Sequence, residues 1–360
     1  SAVAGLASEV SAGPIESFTV TFDEADFSEA QPAREAALRY GTNHHEILLS
    51  GGDLFDALPD FFTAMDQPSL DGLNTFVVSR AVRAFGLKVV LSGLGGDELF
   101  GGYPSFHRAR YLAHAWKLPS VIRRLGSMSA NTFGDNRLSR ISSVLTDTSA
   151  SRAAYSASRS LFSGRRISRL MGIPSRKSTP VAPSVEGVDF ESLSLMQQIS
   201  WFELSGYMRN TLLRDGDVFS MAHALELRVP MIDSEVANVA QEAAAVLKPT
   251  AGRVKPLLVE AVRDLLIPET ISNPKRGFTL PFETWMRNEL YSEVNSILEG
   301  DTASGVSLDA GEVSRVWQGF QSRKPGVNWS RPWALYTLMR WARQNGITPM
   351  DSKARLALVV

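Results

Sequence analysis

A short apolar stretch that ends in a glycine-rich turn is the feature that most constrains the fold of this chain. The residues VVLSGLGGDELFGGY, Val89–Tyr103, place five glycines within ten positions, although the whole chain of 360 residues contains only 27. Glycine at this density lets the backbone adopt positive φ angles and approach a ligand closely. In an open α/β sheet, ligands bind beyond the carboxyl end of a strand, which is where this turn lies.

The acidic residues of this turn allow two interpretations. Backbone N–H groups could surround phosphate oxygens while Asp97 and Glu98 hold Mg²⁺, which would make a nucleotide site. Alternatively, the turn is structural and its acids cap the helix that follows. The residues alone leave both interpretations open.

Strand and helix patterns alternate along the amino-terminal part of the chain. The predicted strands are Ser17–Phe22, His45–Leu49 and Lys88–Ser92, and the predicted helices between them are Ala30–Tyr40, Asp53–Met65 and Asn74–Phe85. Because the last strand is almost wholly apolar, we expect it to lie in a parallel sheet that is covered on both faces. The alternation predicts an α/β fold with a doubly wound, mainly parallel sheet.

Beyond Gly102 the apolar strands largely stop, and helical patterns dominate the carboxyl-terminal half. These patterns cover Val188–Ser220, Asp233–Leu247, Lys255–Leu266, Phe282–Leu298 and Trp333–Gln344. We therefore divide the chain into an α/β core (1–104), a basic helical segment rich in serine and arginine (105–185) and a helical remainder (186–360).

Charge is unevenly distributed, although the whole chain has a net charge of only −1. Between Ser105 and Lys177, 14 lysines and arginines face only Asp135 and Asp147, so this segment carries +12. Such a patch could bind a polyanion, or it could be a solvated surface that the acidic remainder balances. Since no RNA-binding motif accompanies the charge, we favour the balanced surface and expect no nucleic-acid partner.

The composition excludes several classes of protein. The chain has no cysteine, which rules out disulfides, thiolate metal sites and a cysteine nucleophile. No stretch approaches the ~20 consecutive apolar residues that span a bilayer, and no secretory signal opens the chain. We therefore expect a cytoplasmic protein without a membrane partner.

Four motifs in this sequence resemble those of one family. Extended to Phe106, the glycine-rich motif resembles the signature turn of the synthetase domain of glutamine-hydrolysing asparagine synthetases. Ser17–Phe22 is similar to the family strand whose main chain receives adenine, and Ser220–Asp233 (SMAHALELRVPMID) and Pro274–Pro281 (PKRGFTLP) resemble two later family motifs. The matches follow the family order and extend from about Ser1 to Trp341.

The resemblance implies an ATP pyrophosphatase fold of the adenine nucleotide alpha-hydrolase type and a two-step reaction. A carboxylate, with aspartate favoured, attacks the α-phosphorus of ATP to give an acyl-adenylate and pyrophosphate, and ammonia then displaces AMP to form the amide. This chemistry needs Mg²⁺ and fixed cations near the phosphates. The protein would be an amidotransferase of asparagine biosynthesis, and the family suggests a homodimer.

Individual positions match the family's functional residues. By this resemblance Asp97 binds Mg²⁺, while Lys255 and Lys275 direct their ammonium groups at the phosphates. The positions that match nucleotide contacts are Val20, Ser92, Gly93, Gly95 and Gly96. From the residues alone, Lys255 could equally be solvated, and Val20 could be an ordinary core residue of its strand.

Two parts of the family's machinery are missing from the sequence. The Ser-Gly-Gly-x-Asp-Ser phosphate-binding loop (the PP-loop) is absent, as is the glutaminase domain that would supply ammonia from glutamine. Val3, Leu6 and Val10 have helical spacing at the very start of the chain, which suggests a helix that begins earlier. We therefore expect a fragment that is inactive or severely impaired by itself.

One position inside the signature turn departs from the family. Leu94 stands where the family usually has an acid, and a second family acid falls near Asn210 or Thr211. Leucine cannot accept a proton, and Asp215 and Asp217 lie nearby but out of register. The substrate could therefore be aspartate or a different carboxylate, such as a sugar acid or a peptide. A non-catalytic module that binds a polyanion is the third alternative.

Overall fold

The structure, a computed structural model, describes residues 1–22, 30–116, 119, 149–173, 189–246, 255–268, 271, 280–300 and 306–347. Four strands are present in these residues, namely β1 (Glu16–Phe22), β2 (Asn43–Leu49), β3 (Val89–Leu91) and β4 (Glu226–Arg228). The first helices are α1 (Ala2–Val10), α2 (Ala30–Tyr40), α3 (Gly51–Ala64), α4 (Gly72–Ala84), α5 (Gly96–Phe100) and α6 (Pro104–Trp116).

Helices make up nearly all of the rest. They are α7 (Ala150–Arg159), α8 (Gly164–Met171), α9 (Leu195–Phe202), α10 (Leu213–Met221), α11 (Ser234–Val246), α12 (Pro256–Ala261), α13 (Phe282–Trp285), α14 (Tyr291–Leu298), α15 (Ala310–Gln321) and α16 (Ser330–Gln344). A π-helical stretch (Glu203–Leu212) joins α9 to α10, and two short 3₁₀ turns are Phe190–Ser192 and Pro230–Ile232. None of the helices in the described ranges has the length and apolar character needed to cross a bilayer.

The strands form two small parallel sheets. In one sheet Val20 of β1 lies opposite Ile47 of β2, and in the other Val90 of β3 lies opposite Leu227 of β4. The α/β class, the parallel pairing and the helical carboxyl-terminal half are thus confirmed. The doubly wound core of the adenine nucleotide alpha-hydrolase type and the three segment boundaries stay predictions.

Strand β3 differs from its prediction in burial. Val89 and Leu91 are 41% and 52% exposed, so within the described part of the chain this strand is not covered on both faces. Its partner β4 has only three residues, two of them charged, and Glu226 pairs with Arg228 across 2.7 Å as an exposed ion pair. Strand β4 has therefore no apolar pattern that could have predicted it.

Aromatic rings join α3 to α10 and α16 in one core. Phe61 of α3 stacks on Phe219 of α10 with ring centroids 4.8 Å apart, and Phe62 meets Tyr336 of α16 at 5.6 Å. All four rings are at most 1% exposed. Two tryptophans of α16 reinforce this contact, because Trp333 donates to the carbonyl of Leu70 and Trp341 to that of Met65.

Glycine permits the close packing of α4 against α10. A Cβ atom at Gly72 would lie 1.9 Å from the ring of Phe219, so no larger residue fits without movement. Serine has a different local role, since Ser50, Ser149 and Ser194 each accept the N–H three residues ahead and begin α3, α7 and α9. Such caps satisfy N–H groups that the helix itself leaves unpaired.

Candidate functional site

The glycine-rich turn follows β3 directly. Ser92 extends the sheet by donating its N–H to the carbonyl of Arg228 at 2.8 Å. Gly95 and Gly101 border α5 with φ angles of 91° and 79°, in the region that favours glycine. At Gly95 a Cβ atom would also lie 2.3 Å from the side chain of Ile232, which belongs to the SMAH motif.

Asp97 and Lys255 meet beside this turn. The Nζ atom of Lys255 lies 3.0 Å from Oδ1 of Asp97, and both side chains are 26% exposed. Gly96 and Gly102 border the pair, because Cβ atoms built there would lie 3.7 Å from that Nζ and only 1.7 Å from that Oδ1. The structure thus brings a predicted metal-binding acid and a predicted phosphate-facing lysine together, with glycine on both sides and access to solvent.

The backbone of Lys255 is strained. Its φ and ψ angles are 50° and 52°, and Pro256 follows as the first residue of α12. Left-handed geometry costs a residue with a side chain about 1–2 kcal/mol, and a following proline favours extended geometry instead. Strain of this kind is concentrated at functional positions.

The other residues assigned by resemblance lie in different places. Ser92 and Leu94 are half-buried in the turn, where Oγ of Ser92 accepts the N–H of Leu94 at 3.3 Å, and Gly93 is exposed. Val20 is 6% exposed in the other sheet. Lys275 falls outside the described residues. The functional roles of all these residues stay predictions.

The positions near the second lost acid belong to the π-helical stretch and α10. Asn210 is exposed and Thr211 half-buried. Asp217 is exposed, whereas Asp215 is 2% exposed and accepts a hydrogen bond from Ser69. Burial raises the pKa of Asp215 to about 6. Asp215 is therefore a buried structural acid, bonded away from the glycine-rich turn.

A largely buried polar cluster lies behind the turn, and the sequence did not predict it. We call Glu98, Tyr103, Arg159, Glu203 and Tyr207 the Arg159 cluster. Arg159 donates from Nε and NH2 to one oxygen of Glu203, at 2.8 and 2.5 Å, and Glu203 is fully buried. Two tyrosine rings enclose the guanidinium, with its carbon 4.3 Å from the centre of Tyr103 and 3.6 Å from that of Tyr207.

The same cluster reaches back to the turn. The hydroxyl of Tyr103 donates to Oε1 of Glu98 at 2.7 Å, and burial raises the pKa of that carboxyl. Glu98 and Tyr103 stand inside the signature motif, so their position was a signal. Arg159 and Glu203 are 44 residues apart on different helices, and no pattern in the sequence links them.

The single accessible carboxylate of Asp97 suits a metal ion whose other ligands include the phosphate groups of a substrate. Across the described ranges there is no group of three or more acidic, histidine or cysteine side chains that could hold a metal. Mg²⁺ is commonly held by one or two carboxylates together with substrate phosphates, and it keeps several waters. Asp97 alone therefore fits a magnesium–nucleotide complex better than a resident ion.

Comparisons with known proteins identify the family of this chain. The model of the asparagine synthase family matches residues 1–343. A putative glutamine-hydrolysing asparagine synthetase of Mycobacterium tuberculosis is 31% identical over 336 residues, which is 90% of this chain and 50% of the relative. The glutamine-hydrolysing asparagine synthetase 1 of Bacillus subtilis is 26% identical over 296 residues, 79% of this chain and 45% of the relative.

A third relative carries a different name. Amidase chry2 of Gibberella zeae is 24% identical over 311 residues, which is 78% of this chain and 46% of the relative. The chain thus spans about half the length of the curated relatives that it matches.

Proposed function

The chain belongs to the asparagine synthase family, and on that basis we propose that it carries the carboxylate-activating half of an ATP-dependent, amide-forming ligase. The observation that supports this most is the Asp97–Lys255 pair between Gly96 and Gly102. It combines an accessible carboxylate for a metal ion, a cation for phosphate oxygens and bare backbone where a ligand must come close.

The reaction that we propose has two displacements. An oxygen of the substrate carboxylate bonds to the α-phosphorus of ATP, and the bond from that phosphorus to the bridging oxygen breaks, which releases pyrophosphate. Ammonia then bonds to the acyl carbon, AMP leaves with the electron pair of the broken C–O bond, and the nitrogen loses a proton. The products are an amide, AMP and pyrophosphate.

In this reaction the residues around the glycine-rich turn would hold the metal ion and the nucleotide. Mg²⁺, when bound, supplies positive charge to the pyrophosphate oxygens as negative charge develops there. Asp97 would hold it, and Lys255, relieved of part of its pairing with Asp97, would contact the phosphates. Ser92, Gly93 and Gly95 would offer backbone around the nucleotide.

Aspartate is the first candidate for the carboxylate, because relatives over most of this chain are named asparagine synthetases. A different carboxylate, such as a sugar acid or a peptide, is the second, and Leu94 favours it, because an apolar side chain stands within the turn itself. The relative named as an amidase supports this alternative only weakly.

A polyanion-binding role of the basic segment has less support. Arg159 and Arg166, two of its arginines, pair with Glu203 and Glu312, which lie outside it. These pairs favour a charge that is balanced within the molecule. Ammonia supply by a glutaminase domain, severe impairment of the isolated 360-residue chain, homodimer formation and a cytoplasmic location remain predictions.

Pyrophosphate release from MgATP tests the proposal. The protein at its full natural length should release pyrophosphate with aspartate or with one other acid of a carboxylate panel, and should form the matching amide when ammonia is added. Asp97→Asn keeps the shape of the side chain but removes its charge, and should lower the rate strongly. Asp56→Asn, at an exposed position of α3, should leave it unchanged.

Each outcome decides something. Release that depends on aspartate, with asparagine as product, supports the first candidate, and release with another acid alone supports the second. No release with any carboxylate, from folded protein that contains the intact turn, would refute the ligase proposal. An Asp97→Asn variant with the wild-type rate would refute the proposed metal-binding role of this carboxylate.

A further inference from the structure

We infer that Arg159 is a positioning residue of this site: enclosed by two tyrosine rings, it fixes the loop that holds the Asp97 carboxylate in place. The inference rests on the proposed function, because it concerns the metal-binding geometry of that site. It also assigns a task to a residue of the basic segment that the catalytic assignment leaves without one.

The first step is the rigidity of Arg159 itself. Its guanidinium donates two hydrogen bonds to Glu203, and its carbon atom lies 4.3 Å from the ring centre of Tyr103 and 3.6 Å from that of Tyr207. Glu203 accepts a further hydrogen bond from Ser105 at 2.6 Å and is itself fully buried. Two-donor pairing combined with contact to aromatic rings is a geometry that arginine provides and lysine does not.

The second step leads from Arg159 to the loop. Tyr103 contacts the guanidinium with its ring and donates its hydroxyl to Glu98, so both ends of this side chain are held. Gly102 precedes it directly. The position of Tyr103 therefore determines where the backbone of Gly102 lies.

The third step leads from the loop to the carboxylate. The N–H of Gly102 donates to the carbonyl of Asp97 at 2.9 Å, and the bare Cα of Gly102 packs against the Asp97 carboxylate so closely that a Cβ atom would lie 1.7 Å from Oδ1. Any shift of this loop moves the wall beside the carboxylate. Because Mg²⁺ demands near-ideal ligand geometry, its binding should respond to such a shift more than protein stability does.

Three variants test the inference in the full-length protein. Arg159→Met removes the positive charge and the planar guanidinium but keeps an aliphatic side chain, whereas Arg159→Lys keeps only the charge. Tyr103→Phe keeps the aromatic ring but loses the hydrogen bond to Glu98. The matched control is Arg152→Met on the same helix, whose guanidinium lies 5.7 Å over Phe202 and away from the loop. The readout is the Mg²⁺ concentration at half-maximal pyrophosphate release, measured alongside the melting temperature.

We expect Arg159→Met and Arg159→Lys to need about ten- to a hundredfold more Mg²⁺, the usual loss when a residue that orients a metal ligand is replaced. Tyr103→Phe should show a smaller rise in the same direction with an almost unchanged melting temperature, and Arg152→Met should match the wild type. Excess Mg²⁺ should restore much of the rate.

Two results overturn the inference. If Arg159→Lys and Tyr103→Phe lose thermal stability but keep the wild-type Mg²⁺ requirement, the cluster is only structural. If Arg159→Met does not fold, Tyr103→Phe decides alone, and a wild-type Mg²⁺ requirement in it refutes the inference. Absence of Mg²⁺-dependent release from the wild type would instead refute the proposed function, and this role with it.

Discussion

Replacing Lys255 by glycine and by methionine should separate the strain of its backbone from the charge of its side chain. The left-handed strain of about 1–2 kcal/mol remains in Lys255→Met. Glycine removes this strain but destabilises the folded protein by about 0.4–1 kcal/mol, because it raises the conformational entropy of the unfolded chain. Both variants lose the same ion pair with Asp97, and a pair with side chains 26% exposed contributes at most about 1 kcal/mol. The difference favours glycine by roughly 0–1.6 kcal/mol, or about 0.8 kcal/mol at the centre of the two ranges.

Urea denaturation followed by tryptophan fluorescence measures this difference. Lys255→Gly should have the higher midpoint, although methionine keeps most of the aliphatic side chain. The matched control is Lys88, which is exposed and has no positive φ angle, and there the order should reverse because glycine relieves no strain and only raises the entropy of the unfolded chain. A methionine variant at position 255 that equals or exceeds the glycine variant would refute the strain argument.

Activity should not follow this order of stability. Both variants lack the ammonium group, so pyrophosphate release should fall to a similar extent in both, by about 10²–10³-fold, as when one preorganised donor is removed from a charged transition state. Lys255→Arg should retain part of the rate. A glycine variant that stays active while the methionine variant is inactive would show that the backbone, and not the charge, matters at this position.

Three further outcomes concern stability. Because burial raises the pKa of Asp215 to about 6 in the folded protein, the folded state binds this proton more tightly than the unfolded state, and protein stability falls as pH rises from about 4 to 6. Asp215→Asn should remove this pH dependence and gain about 1–3 kcal/mol of stability at pH 7 in urea titrations. An unchanged pH dependence in the variant would contradict the assignment. Gly72→Ala forces a Cβ atom against Phe219 and should cost about 1–3 kcal/mol, whereas Gly13→Ala, with nothing within 4 Å, should be neutral; equal melting temperatures would count against the close packing. Ser50→Ala removes the cap of α3 and should cost about 1 kcal/mol, while Ser50→Asp should restore it.

Local patterns predicted the fold well wherever one segment carries its own signal. Helix α2 begins and ends where predicted, because Gly41 with its φ of 62° terminates it. The strand of β1 was predicted within one residue, since β-branched and aromatic residues fill it. Strand β4 was missed because its three residues form a strand only through pairing with β3.

In the candidate site, too, the sequence predicted single residues but not the contacts between distant parts of the chain. The turn could be named from its motif and Lys255 from the family resemblance, but the 3.0 Å contact between Asp97 and Lys255 joins residues that lie far apart in the sequence. The π-helical geometry of Glu203–Leu212 leaves the helical pattern intact and so gave no separate signal. Arg159 was hidden by its neighbours, because among so many basic residues it looked like part of a solvated surface.

The aromatic core also has a consequence for folding during synthesis, because its parts are made at different times. Trp341 bonds to Met65 across 276 residues of sequence, and at about 5–20 residues per second the ribosome needs roughly 15–55 s to make that stretch. During this interval Phe62 is already made but lacks Tyr336 of α16, the ring that it meets in the folded protein. The aromatic surface of α3 therefore stays partly uncovered in the nascent chain until the residues of α16 have been made.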